Sequence, residues 1–235
     1  MAKFFTSQKE NGKYWVSISD MMSGLMMVFL FISITYMINV IREKDKIKEI
    51  AVTYNRLQND LYLDLYNEFK NDLKNWDAEI DRQNLSVRFK SPEVLFKLGS
   101  FQLENKFKTI LKDFFPRFIK ILTNEKYKND IDEIRIEGHT STDWATECPP
   151  DIAYFKNMEL SQDRTRSVLE YVLTLPNLDE NKDWIKKYLT ANGLSSSKII
   201  AKTNGEEDKE KSRRVEFRVK TNSEKRIVKI INESE

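Results

Sequence analysis

The sequence predicts a single N-terminal transmembrane helix followed by an α/β domain, a βαβαβ sandwich with helices on one face of a mixed sheet. The first observation is a run of 21 residues, 21–41, that carries no formal charge. A helix needs about 20 such residues to cross the hydrocarbon core of a bilayer. The second observation comes after residue 84, where short stretches that alternate apolar and polar residues are interspersed with longer amphipathic stretches. This order is typical of a sheet covered by helices.

Composition limits the class of protein. The 235 residues are 40% hydrophobic and 32% charged, as in folded proteins, and they leave room for one extramembrane domain. The net charge of +2 gives no indication of a direct nucleic-acid partner. Cys148 is the only cysteine, which excludes a disulfide framework within the chain. His139 is the only histidine, so we expect it to be a structural residue rather than a metal ligand.

The patterns divide the chain into five segments. We expect an uncleaved anchor, because no small-residue cleavage site follows the apolar run. The predicted segments are an N-terminal tail (1–15), the transmembrane helix (16–41), a helical linker or stalk (42–83), the α/β domain (84–220) and a C-terminal tail (221–235). Lysine and arginine flank both ends of the apolar run, so these charges alone do not decide its orientation.

Asp20 stands at the N-terminal edge of the apolar run. A carboxylate at hydrocarbon depth costs about 2.5 to 3.5 kcal/mol, and such residues usually face a partner helix or a water path. Ser23, Gly24, Met27 and Phe31 follow at helical spacing, so they share one face with Asp20. The position allows two interpretations, a functional acid turned towards a partner helix or an interfacial residue that caps the helix.

The linker, residues 42–83, contains neither proline nor glycine and is predicted to be helical. Apolar residues alternate steps of three and four from Ile47 through Ile50 and Tyr54 to Leu61, and then continue in steps of four to Leu73. Two interpretations remain open. The segment is either a dimeric stalk that continues two membrane helices or an amphipathic helix that lies on its own domain.

Alternation and helical periodicity place the elements of the α/β domain. Strands are predicted over 85–90, 131–137, 198–202 and 213–220, and helices over a run ending at Leu122, over 159–175 and over 182–192. Gly193 is expected to terminate the last helix. The charged run 206–211 is predicted to be solvated surface. The first helix turns one apolar face to the core: Phe107, Ile110, Leu111, Phe114, Phe115, Phe118, Ile119 and Leu122.

The N-terminal residues resemble a known family. Residues 15–30, with Trp15 and Asp20 opening the apolar helix, look like the start of MotB-type stator subunits. The run Ser-Asp-Met-Met-Ser-Gly-Leu-Met-Met-Val-Phe-Leu-Phe-Ile, residues 19–32, resembles still more closely the ZorB-type subunits of Zorya anti-phage defence systems. The resemblance implies that Asp20 is the ion-carrying residue, with Ser23 and Gly24 beside it.

The C-terminal part resembles the OmpA-like peptidoglycan-binding domain over about residues 85–220. The resemblance is carried by four motifs: Val94-Leu95-Phe96-x-x-Gly99-Ser100, Gly138-His139-Thr140, Asn157-x-x-Leu160-Ser161-x-x-Arg164 and Arg213-Arg214-Val215-Glu216-Phe217. In that family the arginine at the position of Arg164 and a carboxylate directly after Gly-His-Thr hold the diaminopimelate end of a stem peptide.

The resemblance implies a peptidoglycan pocket that departs from the family at one position. Arg164 matches, and its planar fork suits a carboxylate. Ser141 occupies the position of the family's acid, and Asp143 follows two residues later. Either Asp143 reaches the pocket from a remodelled loop, or affinity is altered. Asn157 and Arg213 are further pocket candidates, although either could simply stabilise the fold.

Together the resemblances imply an ion-motive stator subunit that is not an enzyme. It would act as a homodimer inside a pentamer of polytopic MotA-like or ZorA-like subunits, anchored to peptidoglycan, and would signal phage invasion to cytoplasmic effectors. The N-terminus would be cytoplasmic and the C-terminal domain periplasmic, in the bacterial inner membrane. Protons are the expected coupling ion, sodium is the alternative, and no cofactor is expected. The alternative functions are a passive envelope anchor and a flagellar-type stator subunit.

Overall fold

The computed structural model describes residues 4–90, 95–97, 99–145, 147–176 and 178–222. Residues of the predicted C-terminal tail beyond 222, and Val94 of the first OmpA-like motif, lie outside the described residues. The chain separates into two compact units, with the boundary between Thr53 and Tyr54. Helix α1 (Phe4–Phe69) contributes to both units, which are described in turn.

The first unit consists of the N-terminal part of α1. Within the described residues, Tyr14–Glu49 is the one helix long and apolar enough to cross a membrane, with a mean hydropathy of 2.1 over its most apolar window. Its side chains are exposed, as expected for a surface that faces lipid or partner helices. The prediction of a single N-terminal apolar helix is therefore confirmed. The helix begins at Phe4, inside the segment predicted as a tail.

The second unit is built on a mixed sheet, as predicted, and the sheet has five strands rather than the four expected. Its strands are β1 (Ala78–Asp81), β2 (Ser86–Phe89), β3 (Ile131–His139), β4 (Leu189–Gly193) and β5 (Arg214–Thr221). Their order in the sheet is β1-β2-β5-β3-β4, and β3 with β4 is the parallel pair. The helices are α2 (Asn105–Leu122), α3 (Pro150–Leu173), α4 (Lys182–Tyr188) after a 3₁₀ turn (Asp179–Asn181), and α5 (Lys209–Ser212).

An aromatic cluster forms the centre of the core. The ring of Phe114 on α2 lies 5.2 Å from that of Phe89 on β2 and 5.1 Å from that of Phe217 on β5. Aromatic pairs at such distances add about 0.5–1.5 kcal/mol each to the burial of their surface. All eight apolar residues predicted to face the core from α2 are buried. The periodicity of this helix was therefore interpreted correctly.

The C-terminal part of α1 also belongs to this core. Leu61, Leu65 and Phe69 are fully buried, and Leu57 and Leu73 pack against them. This part of the linker is thus an amphipathic helix on its own domain. Ile47 lies in the first unit and is exposed, while the side chains of Ile50 and Tyr54 lie outside the described residues.

The linker prediction was wrong at its C-terminal end, because the helix ends at Phe69 rather than continuing to residue 83. The following turns lead to Asp77, whose φ of 51° redirects the chain, and residues 78–81 form β1. A four-residue strand with a single apolar alternation gives little signal in a sequence.

Three other elements differ from the prediction. The helix predicted over 182–192 ends at Tyr188, and residues 189–193 form β4, parallel to β3. Residues 198–202 form no strand, and Ala201 makes only an isolated bridge with Glu207. Helix α3 begins at Pro150 rather than 159, because proline suits the first turn of a helix, where its missing N–H costs nothing.

Candidate functional site

The residues predicted to bind peptidoglycan meet where β3 ends and α3 passes above it. Gly138 permits this approach, because a Cβ there would lie 2.7 Å from Thr165 Cγ2 and 2.9 Å from the Ser161 carbonyl oxygen. The buried face of α3 is correspondingly small and polar, with Asn157, Ser161 and Thr165 at intervals of four residues. The motif glycine therefore sets the position of α3 over the sheet.

Asn157 fixes the loop that follows β3. Its buried Nδ2 donates hydrogen bonds to the carbonyl oxygens of Ser141 at 3.1 Å and Asp143 at 3.0 Å. The predicted residues Ser141, Asp143 and Asn157 are therefore brought together. Ser141 is itself buried, whereas the side chain of Asp143 is exposed.

Arg164 lies seven residues, or about two turns, after Asn157 on α3, so both side chains leave the helix on nearly the same side. It is half-buried, its Nε donates to the Ser100 carbonyl oxygen at 3.0 Å, and its guanidinium stands 4.9 Å from the centre of the Phe96 ring. Among the residues that the structure describes, no carboxylate forms an ion pair with Arg164. Such a guanidinium is suited to bind an external anion.

Two causes lower the pKa of Arg164 to about 10. Burial is the larger cause, and the positive charge of Arg213 adds to it. A pKa of about 10 still leaves the guanidinium protonated at neutral pH. Arg213 therefore lies close enough to affect Arg164 electrostatically, which places a fifth predicted residue in this neighbourhood.

The segment before β5 closes over the loop after β3. Lys209 Nζ lies 2.6 Å from Asp143 Oδ2, and the hydrogen bond with Asp143 raises the pKa of Lys209. Glu207 accepts hydrogen bonds from Thr142, through Oγ1 at 2.6 Å and through the backbone nitrogen at 3.2 Å. Sequence reasoning missed Glu207 and Lys209. The run 206–211 that contains them looked like solvated surface, and its mixture of acidic and basic residues was the only signal available.

A second group of buried charges occupies the face of the sheet opposite to the one on which α3 packs. Glu216 Oε1 accepts hydrogen bonds from Arg88 Nε at 2.9 Å and Arg214 Nε at 2.6 Å, and Oε2 accepts from Ser86 Oγ at 2.7 Å. Burial by itself would raise the pKa of Glu216, but the charges of Arg214 and Arg88 outweigh it and lower the pKa to about 2. The carboxylate therefore stabilises β2 against β5.

On the same face, Glu137, His139 and Glu216 bring three possible metal-ligand atoms close together. His139 Nε2 lies 3.8 Å from Glu137 Oε2 and 3.9 Å from Glu216 Oε1. Burial lowers the pKa of His139, so its imidazole is neutral. However, Glu216 Oε1 already accepts from two guanidinium groups, whose positive charges oppose a cation at this point. The residues therefore do not fit a metal ion.

In the first unit, Asp20, Ser23 and Gly24 lie exposed on the apolar helix. Ser23 Oγ donates to the Ser19 carbonyl oxygen at 2.9 Å, as hydroxyl groups in membrane helices often do. A Cβ built on Gly24 would meet no described atom within 4 Å, so this surface is open to close packing by another helix.

Comparison with known proteins shows the family to which the chain belongs. The sequence model of the OmpA family matches residues 95–182, which hold Asn157 and Arg164. The fold and this match define the class, an OmpA-like domain on an N-terminal apolar helix. The chain is 54% identical to the Zorya protein ZorB of the Crooks strain of Escherichia coli over 233 residues, 99% of this chain and 98% of that protein. The chain therefore belongs to the ZorB family of Zorya proteins.

Two further similarities are weaker. A ZorB from a second Escherichia coli strain is 25% identical over 223 residues, 91% of this chain and 82% of that protein. Among solved structures, a MotB-like protein from Desulfovibrio vulgaris is 22% identical with a TM-score of 0.47, and the match covers 71% of this chain and 96% of that protein.

Proposed function

We propose that this protein is a proton-carrying, peptidoglycan-anchored stator subunit of a Zorya anti-phage system. Membership of the ZorB family supports the defence role. The observation that carries the anchoring role is Arg164, a half-buried guanidinium without a described carboxylate partner. The single apolar helix with Asp20 at its edge supports the ion-carrying role.

In the proposed anchor, Arg164 binds a carboxylate of the diaminopimelate residue in a peptidoglycan stem peptide. A planar guanidinium can form two parallel hydrogen bonds to a carboxylate, and burial strengthens them. Arg213 adds positive charge, while Asn157 holds the loop that borders the pocket. Ser141 shapes this loop through its backbone carbonyl rather than as a ligand.

Co-sedimentation with peptidoglycan tests the anchor. The full chain in detergent is incubated with purified diaminopimelate-type sacculi, and bound protein is measured after centrifugation. We expect Arg164→Ala to weaken binding about tenfold or more, since the lost interaction is a charge-assisted pair. Arg166→Ala is the matched control, because Arg166 is exposed on the same helix and pairs with Glu170. Unchanged binding by Arg164→Ala would refute the pocket.

In the proposed motor, two copies of the apolar helix stand inside a pentamer of polytopic ZorA-like subunits. Protonation of Asp20 neutralises it and lets the ring step past, driven by about 2.3 kcal/mol per charge for each 100 mV of membrane potential. Protons are favoured over sodium because Asp20 has few polar neighbours on its helix face, where Ser17 and Ser23 stand three residues before and after it. Rotation would pass the invasion signal to cytoplasmic effectors.

The proposed topology follows from the anchor. Peptidoglycan lies outside the inner membrane, so a domain that binds it must be periplasmic and the N-terminus must be cytoplasmic. Asp20 then lies near the cytoplasmic end of the span. The alternatives, a passive envelope anchor and a flagellar-type stator, share this topology and differ in whether Asp20 matters and in whether the protein supports motility or defence.

A further inference from the structure

Glu207 contributes a carboxylate to the loop after β3, which Asn157 holds against α3. Among the described residues, Thr142 donates three hydrogen bonds to this carboxylate: one from Oγ1 at 2.6 Å, and two from the backbone nitrogen at 3.2 and 3.4 Å. A carboxylate has about four lone-pair sites, so this leaves capacity for another donor. Thr142 directly follows Ser141, which stands where the OmpA-like family has an acid. Glu207 therefore places a negative charge beside a position that has lost one.

Asp143, the acid nearest to this position in the sequence, is already paired with a lysine. Lys209 Nζ lies 2.6 Å from its Oδ2. An ammonium group from a ligand would have to displace Lys209 before it could pair with Asp143. The hydrogen bonds to Glu207 come instead from neutral donors, and Lys209 acts on Glu207 through space rather than by a direct contact.

The segment 207–213 also extends to Arg164. Lys209 contacts the loop through Asp143, its carbonyl oxygen accepts from Arg213 Nε at 3.2 Å, and the charge of Arg213 acts on Arg164. Glu207 therefore contacts the loop that Asn157 holds, and Arg164 lies two turns after Asn157 on α3, so elements that border this loop carry both a carboxylate and a guanidinium. Such a pair suits a ligand that carries both a carboxylate and an ammonium group, as the free end of diaminopimelate does.

We propose that Glu207 accepts the free ammonium group of the peptidoglycan stem peptide, while Lys209 removes Asp143 from that role. The inference rests on the proposed function, in which Arg164 holds the ligand's carboxylate. Glu207 would then discriminate between charged and neutral amines, although it lies in the run 206–211 that the sequence predicts as solvated surface.

The test compares native sacculi with sacculi whose free diaminopimelate amines have been N-acetylated, which removes the ammonium charge and keeps the carboxylates. We expect the wild-type full chain in detergent to bind native sacculi about tenfold more tightly than acetylated ones. Glu207→Gln keeps the size of the side chain and should bind both equally weakly. Glu206→Gln, a change at the exposed neighbour, should behave like the wild type.

The outcomes separate this inference from the proposed function. If Glu207→Gln still prefers native sacculi while Arg164→Ala has lost binding, Glu207 is not the acceptor and the pocket stands. If Arg164→Ala binds like the wild type, the pocket and this inference both fail. Equal binding of the wild type to native and acetylated sacculi overturns the inference without reference to any variant or its folding.

Discussion

The rings of Phe69 and Phe114 lie 5.1 Å apart, so the last turn of α1 packs directly on α2 in the core of the second unit. Arg117 covers this contact, with its guanidinium 4.9 Å from the centre of the Phe69 ring and its Nε 2.7 Å from Glu68 Oε1. The residues from Leu61 to Phe69 are therefore part of the folded domain, and removing them should expose its core.

Leu65→Ala should lower the free energy of unfolding of the second unit by about 2–5 kcal/mol, as large-to-small core substitutions do. Leu65 is fully buried, whereas Leu63, two residues earlier, is 43% exposed. Leu63→Ala is thus the matched control and should change stability by less than about 1 kcal/mol. Urea unfolding of the full chain in detergent, followed by tryptophan fluorescence, measures both. Equal losses would contradict the packing of α1 on the domain.

The pKa of Glu216 predicts a pH dependence of stability. The folded-state value of about 2 lies below the ordinary value of 4.5, so the contribution of Glu216 is fully present above about pH 5 and is lost as the pH falls towards 2. The shift corresponds to roughly 3 kcal/mol. Glu216→Gln should therefore be strongly destabilised at pH 6, and its deficit relative to the wild type should shrink between pH 4.5 and pH 2.

Urea unfolding of the wild type and Glu216→Gln at pH 6, 4 and 3 checks this dependence. Glu210→Gln serves as the control, because Glu210 is exposed on α5, and it should follow the wild type at each pH. A deficit for Glu216→Gln that stays constant with pH would show that the carboxylate charge does not stabilise the sheet.

Gly193 is required by close packing rather than by a turn. A Cβ at this position would overlap the backbone nitrogen of Gln162 on α3, and backbone cannot move aside as a flexible side chain can. We expect Gly193→Ala to destabilise the second unit by about 1–3 kcal/mol through overpacking. Gly205→Ala meets no described atom within 4 Å but is strained by a φ of 86°, so Ser197→Ala, at an exposed turn, is the cleaner control. Thermal unfolding monitored by circular dichroism compares the two variants.

The elements that could be predicted from the sequence are those with local signals. Helix α2 has a strong 3.6-residue apolar period, and β3 and β5 are long enough to show alternation. Strand β4 was hidden because it follows Tyr188 without a break, and its identity depends on pairing with β3, more than 50 residues earlier. Gly193 was accordingly interpreted as the end of a helix.

The residues of the candidate site also divide into those with a local sequence signal and those without one. Arg164 and Asn157 could be identified from a motif on one helix, and the structure shows their local surroundings. Glu207 could not, because its contact with Thr142 joins residues 65 positions apart and its segment has the composition of a solvated loop. Charges that act across a fold leave no periodic pattern in the sequence.

The final prediction concerns Asp20. Asp20→Asn removes the ionisable group and keeps its size, so a proton-carrying role predicts loss of phage protection while the complex with the neighbouring membrane subunit still assembles. Asp45→Asn is the matched control, since Asp45 lies on the same helix outside the apolar run 21–41. Efficiency of plating should rise to the level of cells without the system for Asp20→Asn and stay at the protected level for Asp45→Asn.

Asp20→Glu separates charge from packing in this experiment, because it restores a carboxyl group at the same helical position. If protection returns with Asp20→Glu and is absent with Asp20→Asn, the carboxyl group itself is needed, and a passive anchor is excluded. Full protection by Asp20→Asn would instead favour the passive anchor, since an amide cannot take up and release a proton at physiological pH. Recovery of swimming in a cell that lacks its own stator would identify a flagellar-type subunit.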